Sequence, residues 1–359
     1  MSVNNIIGNV NTKKIMLSNA SEQKNGTAYI LLGEENVGKN FAARQFAKAL
    51  NCLRPSVDMD CCDICVNCRL IDKTLGELDE HDCQINPHPD LVYINTEKAQ
   101  LSKEVVQVAI ENLNIYKAIQ LKRKVVIIQD ADRMNKSAAN SILKVLEEPH
   151  KDLVIILIVN NIDSQMPTIV SRCRRIELQR ASISEIEKAT GRIMMAWTEI
   201  EVKEAASFSD GKIGDALRYI EVKQQFKDAA AIFSAVSGRK DDVESIFDAI
   251  KRVEELHREE KEKEKKAKKK GIARLFLLDI IKILSYIYRD YMLEKLGIKS
   301  ILRNRYGIST TDIRDYTPAK ISAILKIIER SCRDVESNAN VSVLFTNLLF
   351  QIRKEGLSA

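Results

Sequence analysis

The 359-residue sequence predicts an α/β domain with a parallel sheet in its N-terminal half, followed by an all-helical region. Three observations support this fold class. Short apolar runs alternate with helical segments up to about residue 180, a pattern typical of parallel sheets covered by helices on both faces. A strand, a glycine-rich loop and a helix follow one another around Gly33. From Ser182 onward the strand pattern ends and helical periodicity continues.

The individual elements follow from apolar spacing and from helix-ending residues. The predicted strands are the apolar runs 29–32, 91–94, 125–128, 154–159 and 175–178. A helix over 135–148 is predicted because its apolar residues recur at i, i+3, i+4 and i+7 and because Pro149 ends it. In the helical region we expect Ser184 to cap a helix, and we expect long helices over 272–296 and 318–332.

The glycine-rich loop, residues 33–40 (G-E-E-N-V-G-K-N), matches the P-loop pattern G-x-x-x-x-G-K-[ST] up to its last position. Such a loop cradles phosphates with backbone N–H groups at a helix N-terminus, so Gly33, Gly38 and Lys39 are candidate phosphate-binding residues. The last position is Asn40, where a Ser or Thr hydroxyl normally contacts Mg²⁺. The alternative to a degenerate P-loop is a glycine-rich turn without a ligand.

The second half of an ATP site is also altered. The strand over 125–128 places Gln129 at the position of the metal-binding Asp and Asp130 at that of the water-activating Glu. Together with Asn40, these are three replacements around one Mg²⁺ and one water, which argues against intrinsic turnover. We therefore expect ATP or ADP to be bound at most without hydrolysis, with Asp130 as a further nucleotide-site residue.

A cysteine cluster follows the predicted P-loop helix. Cys62, Cys65 and Cys68 form two consecutive C-x-x-C steps, and Cys52 lies upstream. Four thiolates at such spacing close a tetrahedral structural Zn²⁺ site, so these four are the predicted ligands. Cys61 is an alternative to Cys62. Disulfides, buried thiols and a redox dithiol are the other interpretations.

Composition bounds the remaining possibilities. The chain is 45% hydrophobic and 30% charged, as in ordinary globular proteins, and its net charge of +6 permits contact with nucleic acid without requiring it. No apolar stretch approaches the ~20 residues that span a bilayer, and no signal peptide is evident, so we expect a cytoplasmic location. His81, Cys83 and His88 are interpreted as surface residues, with metal binding as the alternative. The charged run 251–270 is interpreted as a solvated helix or linker, with contact between its basic end and DNA phosphates as the alternative.

Several segments, in this order, carry a family resemblance: residues 6–9 (I-I-G-N), the cysteine cluster, 140–149 (N-S-I-L-K-V-L-E-E-P), 167–173 (P-T-I-V-S-R-C) and 338–341 (N-A-N-V). With these motifs the chain resembles the AAA+ clamp-loader subunits of bacterial DNA polymerase III. The resemblance implies an AAA+ P-loop domain over 1–180 with an inserted zinc module at about 52–68. It also implies a small helical lid over 181–225 and a helical oligomerisation collar over 226–359.

The family has ATP-hydrolysing members, of the gamma/tau kind, and a non-hydrolysing member. Gly214 stands where the hydrolysing members carry a nucleotide-sensing Arg, and Asn160 replaces a sensor Thr. These departures favour the non-hydrolysing kind, with a gamma/tau-type ATPase as the alternative. The implied partners are gamma/tau and delta subunits and, through the assembly, the sliding clamp and primed DNA.

The S-R-C motif contains Arg172, which the resemblance implies to be an arginine finger. In such assemblies this guanidinium enters the ATP site of the neighbouring subunit and stabilises charge on the transferred phosphoryl group. The alternative is a surface arginine in a basic patch, since Arg174 and Arg175 follow directly.

Overall fold

The computed structural model describes residues 1–22, 26–76, 88–94, 101, 103, 106, 117–237, 244–267, 272–298, 316–336 and 340–357. His81, Cys83, the lysines at 268–270 and residues 338–339 of the N-A-N-V segment lie outside these ranges. The chain divides into two compact units. Unit 1 comprises Met1–Trp197 and Ser209–Ala216, and unit 2 comprises Thr198–Phe208 and Leu217–Ala359.

Unit 1 contains a five-stranded sheet with the order β2-β3-β4-β1-β5, in which every pair of neighbours is parallel. The strands are β1 (Thr27–Leu32), β2 (Leu91–Ile94), β3 (Lys124–Ile128), β4 (Leu153–Val159) and β5 (Arg174–Glu177). The predicted parallel sheet is confirmed, and each predicted strand lies within two residues of an observed one. All seven residues of β4 are buried, because this central strand is covered on both faces.

Helices cover both faces of the sheet. Those of unit 1 are α1 (Val10–Ser21), α2 (Lys39–Asn51), α3 (Val66–Gly76), α4 (Lys136–Glu147), α5 (Pro167–Val170) and α6 (Ile183–Ile193). Tyr29 of β1 packs edge-on against Phe46 of α2 with ring centroids 4.9 Å apart. The next residue, Ile30, faces the other way, into the cluster that contains Ile142 of α4. Successive side chains of β1 therefore pack into two separate hydrophobic cores, one on each face of the sheet.

The start of α6 differs from the prediction. Ser182, and not Ser184, is the N-cap: its hydroxyl accepts from the backbone N–H of Glu185, while the Glu185 carboxylate accepts from the backbone N–H of Ser182 at 2.9 Å. This reciprocal capping box requires an acid three residues after the cap. Ser184 has an acid at the same spacing, Glu187, but the reciprocal contacts form between Ser182 and Glu185, so the helix begins at Ile183.

Unit 2 is helical, which confirms the predicted helical region. The remaining helices are α7 (Glu199–Ser209), α8 (Ile213–Ser237), α9 (Glu244–Ala267), α10 (Ile272–Lys295), α11 (Pro318–Glu336) and α12 (Val341–Leu357). Helix α8 is continuous through residue 225. The charged run is helical up to Ala267. Within the described parts of the chain, no helix combines the length and the apolarity that crossing a bilayer requires.

Candidate functional site

The glycine-rich loop lies at the carboxyl end of β1, directly before α2. Gly38 is the N-cap of α2 with φ of 100°, and Asn36 also has a positive φ, of 63°. Gly33 has no room for a side chain, since a Cβ there would lie 2.5 Å from the carbonyl oxygen of Leu178. The strand, loop and helix thus have the arrangement that a P-loop needs, with the first-turn N–H groups of α2 at the phosphate position.

Lys39 is buried and its ammonium group is fully engaged. Its Nζ donates to the carbonyl oxygens of Gly33 at 2.7 Å and Glu34 at 2.6 Å, and to Oδ1 of Asn160 at 2.8 Å. An ammonium has three donors, so all are used within the protein. Burial lowers the pKa of Lys39, and the nearby carboxylate of Asp130 only partly opposes this effect. Lys39 therefore connects the loop to the end of β4.

The residues at the end of β3 are also engaged. The Tyr93 hydroxyl of β2 donates to the side-chain oxygen of Gln129. Asp130 has a left-handed backbone with φ of 45°, and Nδ2 of Asn160 donates weakly to its Oδ1 at 3.4 Å. Burial raises the pKa of Asp130. The acid oxygen that would bind Mg²⁺ at position 129 is replaced by an amide oxygen that already accepts a hydrogen bond.

Gly214 lies directly against the loop. Its N–H donates to the carbonyl oxygen of Asn36 at 2.9 Å, and a Cβ at this position would lie 3.0 Å from Cβ of Asn36. The Asn36 side chain in turn donates to Oδ1 of Asp215 at 2.7 Å. A side chain at position 214 would push against the loop backbone, so the glycine allows the loop and the start of α8 to touch.

Sequence reasoning missed a polar bridge beside the loop. The guanidinium of Arg180 donates to both carboxylate oxygens of Glu34, at 2.8 and 2.6 Å, and to Asp210 at 2.5 Å. Glu34 and Arg180 also line a cavity of 290 Å³, together with Val37 and Asn160. No motif marks Arg180, because its partners are 146 and 30 residues away along the chain.

The cysteine cluster forms one compact group. The sulfur atoms of Cys52, Cys62, Cys65 and Cys68 lie within 4.8 Å of one another. Tetrahedral Zn–S bonds of about 2.3 Å bring sulfurs to comparable separations, so these four thiols fit a metal ion. The adjacent Cys61 lies outside this group and its Sγ is 3.8 Å from a carboxylate oxygen of Asp63.

The surroundings of the four thiols lower the pKa of two of them. Burial opposes ionisation of Cys65, but the N–H groups of Leu53 and Cys68 and neighbouring thiols outweigh it and lower the pKa of Cys65 to about 6. The pKa of Cys62 is lowered as well, by the N–H groups of Ile64 and Cys65, despite some burial. Burial raises the pKa of Cys52 to about 12. A cation would be needed to hold all four as thiolates.

The cysteine module is joined to α2 by a buried lysine. Lys48 is fully buried, and its Nζ donates to Asp63 and, at 2.8 Å, to Asp72. Burial lowers the pKa of Lys48, but these two carboxylates outweigh it and the net shift is upward. Asp60 of the same module accepts from the N–H groups of Val3 and Asn4 at 2.9 and 3.0 Å. The module is therefore bound to both the P-loop helix and the N-terminal segment.

His88 is held by local hydrogen bonds. Its Nδ1 accepts from the N–H of Asp90 at 3.0 Å, and its Nε2 is 3.0 Å from Oε1 of Gln120. Both ring nitrogens thus have protein partners. His81 and Cys83, which were considered with His88, lie outside the described residues.

Arg172 lies on the surface in the turn after α5. Its NH1 donates to the carbonyl oxygen of Thr168 at 2.9 Å, and its NH2 donates to Oε1 of Glu147, the last residue of α4, at 2.7 Å. Next to it, Cys173 packs against the sheet core, and burial raises the pKa of that thiol to about 12. The turn therefore anchors Cys173 inward and presents Arg172 outward.

A parallel sheet with a P-loop between β1 and α2 defines unit 1 as a P-loop domain. Comparison with known proteins identifies relatives of this chain. Residues 8–182 match the family model described as DNA polymerase III, delta subunit.

Two curated relatives have different subunit names. DNA polymerase III subunit delta' of Bacillus subtilis (strain 168) is 30% identical over 174 residues, which are 48% of this chain and 48% of that protein. DNA polymerase III subunit tau of the same organism is 23% identical over 364 residues, 95% of this chain and 59% of that protein. A solved DNA polymerase III gamma subunit-related protein of Thermotoga maritima has 18% identity and a TM-score of 0.47, over 97% of this chain and 100% of that one.

The chain spans about half the length of the curated relatives it matches. The matching family model and these relatives are all described as subunits of DNA polymerase III, and this chain is similar to them. They do not separate delta' from tau or gamma.

Proposed function

We propose that this chain is a delta-prime-type subunit of a bacterial DNA polymerase III clamp loader, which assembles with ATPase subunits and does not itself hydrolyse ATP. The observation that carries the proposal is the state of its own P-loop. The loop is intact as a fold, while Asn40, Gln129, Asp130 and Gly214 replace the groups that would bind Mg²⁺, activate water and sense the nucleotide. Binding of ATP or ADP without turnover is compatible with this set.

The contacts of the loop support the same proposal. The Lys39 ammonium group donates three hydrogen bonds to protein oxygens. The side-chain oxygen of Gln129 accepts a hydrogen bond from the Tyr93 hydroxyl. A Cβ at position 214 would lie 3.0 Å from Cβ of Asn36, so a sensor side chain there would press on the loop. A hydrolytic site needs these positions to contact phosphate, metal or water.

Arg172 is proposed to act on a neighbouring subunit. Its S-R-C motif is complete and its guanidinium is on the surface. Cys173, the next residue, packs against the sheet core and so anchors the turn. A guanidinium placed against a γ-phosphate in trans is worth ~10³–10⁵ in rate. In this proposal the partners are gamma/tau and delta subunits, and the assembly loads the sliding clamp onto primed DNA in the cytoplasm.

The remaining parts of the proposal concern architecture. An AAA+ P-loop domain over 1–180, a lid over 181–225 and an oligomerisation collar over 226–359 fit the motifs. Cys52, Cys62, Cys65 and Cys68 would hold a structural Zn²⁺, which stabilises a loop module with few apolar residues of its own. A four-thiolate shell leaves no open position, so no catalytic role follows for the metal.

A reconstituted clamp loader tests the arginine. Wild type and Arg172→Ala chains are assembled with gamma/tau and delta subunits, and ATP turnover and clamp loading are measured. We expect Arg172→Ala to fold and assemble normally and to lower turnover at the neighbouring site by at least tenfold. Unchanged turnover and loading would remove the finger role.

The second candidate is an ATPase subunit of the gamma/tau kind. It is favoured by the match to subunit tau, which extends over 95% of this chain. The purified chain distinguishes the two. Mg²⁺-dependent ATP turnover that Lys39→Ala abolishes would establish the ATPase, whereas nucleotide binding without turnover supports the delta-prime type.

A further inference from the structure

We propose that Glu147, the first acid of the L-E-E-P motif, is the positioning residue for Arg172. This inference rests on the proposed finger role of Arg172 and adds a residue to it. The two side chains are 25 positions apart in sequence and are joined by a hydrogen bond of 2.7 Å between NH2 of Arg172 and Oε1 of Glu147. The L-E-E-P motif otherwise has no part in the site.

Two elements hold the guanidinium. Glu147 belongs to the end of α4, and the second contact, from NH1 to the carbonyl oxygen of Thr168, comes from α5. Two hydrogen bonds at different nitrogens fix both the position and the plane of the group. Preorganised placement of this kind saves the entropy of ordering a flexible arginine when the neighbouring nucleotide arrives.

The guanidinium keeps donors for a second partner. Arginine has five N–H donors, and the contacts to Glu147 and Thr168 use one each at NH2 and NH1. The side chain of Arg172 is 35% exposed, so the remaining N–H groups are accessible to a phosphate oxygen. Glu147 therefore orients the guanidinium of Arg172 and leaves N–H donors for a second partner.

The location of Glu147 is unfavourable for α4 by itself. Helix C-termini carry partial negative charge, so an acid in the last turn is locally unfavourable. Here two acids, Glu147 and Glu148, end the helix. A locally unfavourable residue that contacts a functional side chain is the pattern expected where function outweighs local preference.

The stability of the chain does not explain the pair. Both side chains are substantially exposed, at 35% for Arg172 and 53% for Glu147. Exposed ion pairs contribute little to folding. Removal of Glu147 should therefore not lower the melting temperature of the chain.

The test uses the assembled clamp loader with wild type, Glu147→Ala, Glu147→Gln, Arg172→Ala and the double variant Glu147→Ala/Arg172→Ala. The control is Glu148→Ala, which removes the adjacent acid of the same motif. Assembly is checked by gel filtration, and kcat and KM for ATP at the partner sites are measured.

Glu147→Ala should lower kcat roughly ten- to hundredfold, as misplacement of a catalytic group does, with KM little changed. Glu147→Gln keeps an oxygen acceptor for NH2 and should retain most of the wild-type rate. The double variant should be no slower than Arg172→Ala, because Glu147 acts only through that arginine. Glu148→Ala should match wild type.

Three results would overturn the inference while leaving the finger role intact: Glu147→Ala at the wild-type rate, an increased rate in Glu147→Ala, or a double variant clearly slower than Arg172→Ala. The second of these would make Glu147 a restraint on the finger. An unimpaired Arg172→Ala loader would instead overturn the proposed function, and the inference with it.

Discussion

The ammonium group of Lys39 donates to the side-chain oxygen of Asn160 at 2.8 Å, so the P-loop lysine is tied to the end of β4. Its other two donors bind the carbonyl oxygens of Gly33 and Glu34. The residue that a P-loop uses for phosphate is here part of the internal structure of the domain. That relationship gives Lys39 a role in stability that can be measured without nucleotide.

Replacing Lys39 by Ala should destabilise the nucleotide-free chain. The change removes the donor of one buried and two partly buried oxygens, and a hydrogen bond to a charged group contributes about 1.5–3 kcal/mol. We expect the free energy of unfolding to fall by about 2 kcal/mol in denaturant titrations. Lys14→Ala, on an exposed position of α1, is the control and should have no effect. An equally stable Lys39→Ala chain would show that the three contacts do not hold the loop.

The cysteine site should contain one zinc ion per chain. Metal content is measured on the purified protein and on single Cys→Ser variants. Cys65→Ser should lose the metal and unfold at a lower temperature, because its sulfur belongs to the four-sulfur group. Cys61→Ser should keep the metal. Loss of zinc in Cys61→Ser together with its retention in Cys62→Ser would exchange these two residues as ligands.

Lys48→Met should weaken the attachment of the cysteine module to α2. The substitution removes the cation that Asp63 and Asp72 share, while Asp63 keeps the N-terminal ammonium group and Asp72 keeps Arg44. Breaking a buried charge pair costs about 3–5 kcal/mol, and partial exposure of both carboxylates reduces this to about 2–3 kcal/mol. Chemical denaturation measures the loss, with Lys188→Met on the exposed face of α6 as the matched control. A loss no larger than that of the control would contradict this account.

Ser182→Ala should cost about 1 kcal/mol, the usual contribution of an N-cap. The effect should also depend on pH. The hydroxyl and N–H of Ser182 hold the pKa of Glu185 below its ordinary value of 4.5. A lowered carboxyl pKa stabilises the fold above the ordinary value, and this contribution is lost as the pH falls through the lowered one. The difference between wild type and Ser182→Ala should thus be full at pH 7 and smaller below pH 4.

Ser184→Ala is the control for the cap, because the hydroxyl of Ser182, and not that of Ser184, accepts the backbone N–H of Glu185. Thermal or denaturant unfolding at both pH values gives the comparison. Equal losses for Ser182→Ala and Ser184→Ala would argue against the capping box.

Local patterns predicted much of the fold. β4 has seven consecutive apolar residues and α4 has apolar residues at helical spacing, and both elements lie within two residues of the predicted bounds. The predicted start of α6 was wrong by two residues, because the prediction did not include the reciprocal Ser182–Glu185 contact. The P-loop and the cysteine cluster were found from spacing, since their members lie close together in the chain.

What the residue order determined by itself was therefore the fold class, the loop, the cysteine group and the absence of the usual Mg²⁺ ligands. Periodicity and short motifs encode those features within a few residues. Four contacts join residues that lie 25 or more positions apart: Lys39 with Asn160, Arg180 with Glu34 and Asp210, Gly214 with Asn36, and Glu147 with Arg172. Such contacts arise only when the sheet brings loop ends together, so the tertiary structure alone decided them.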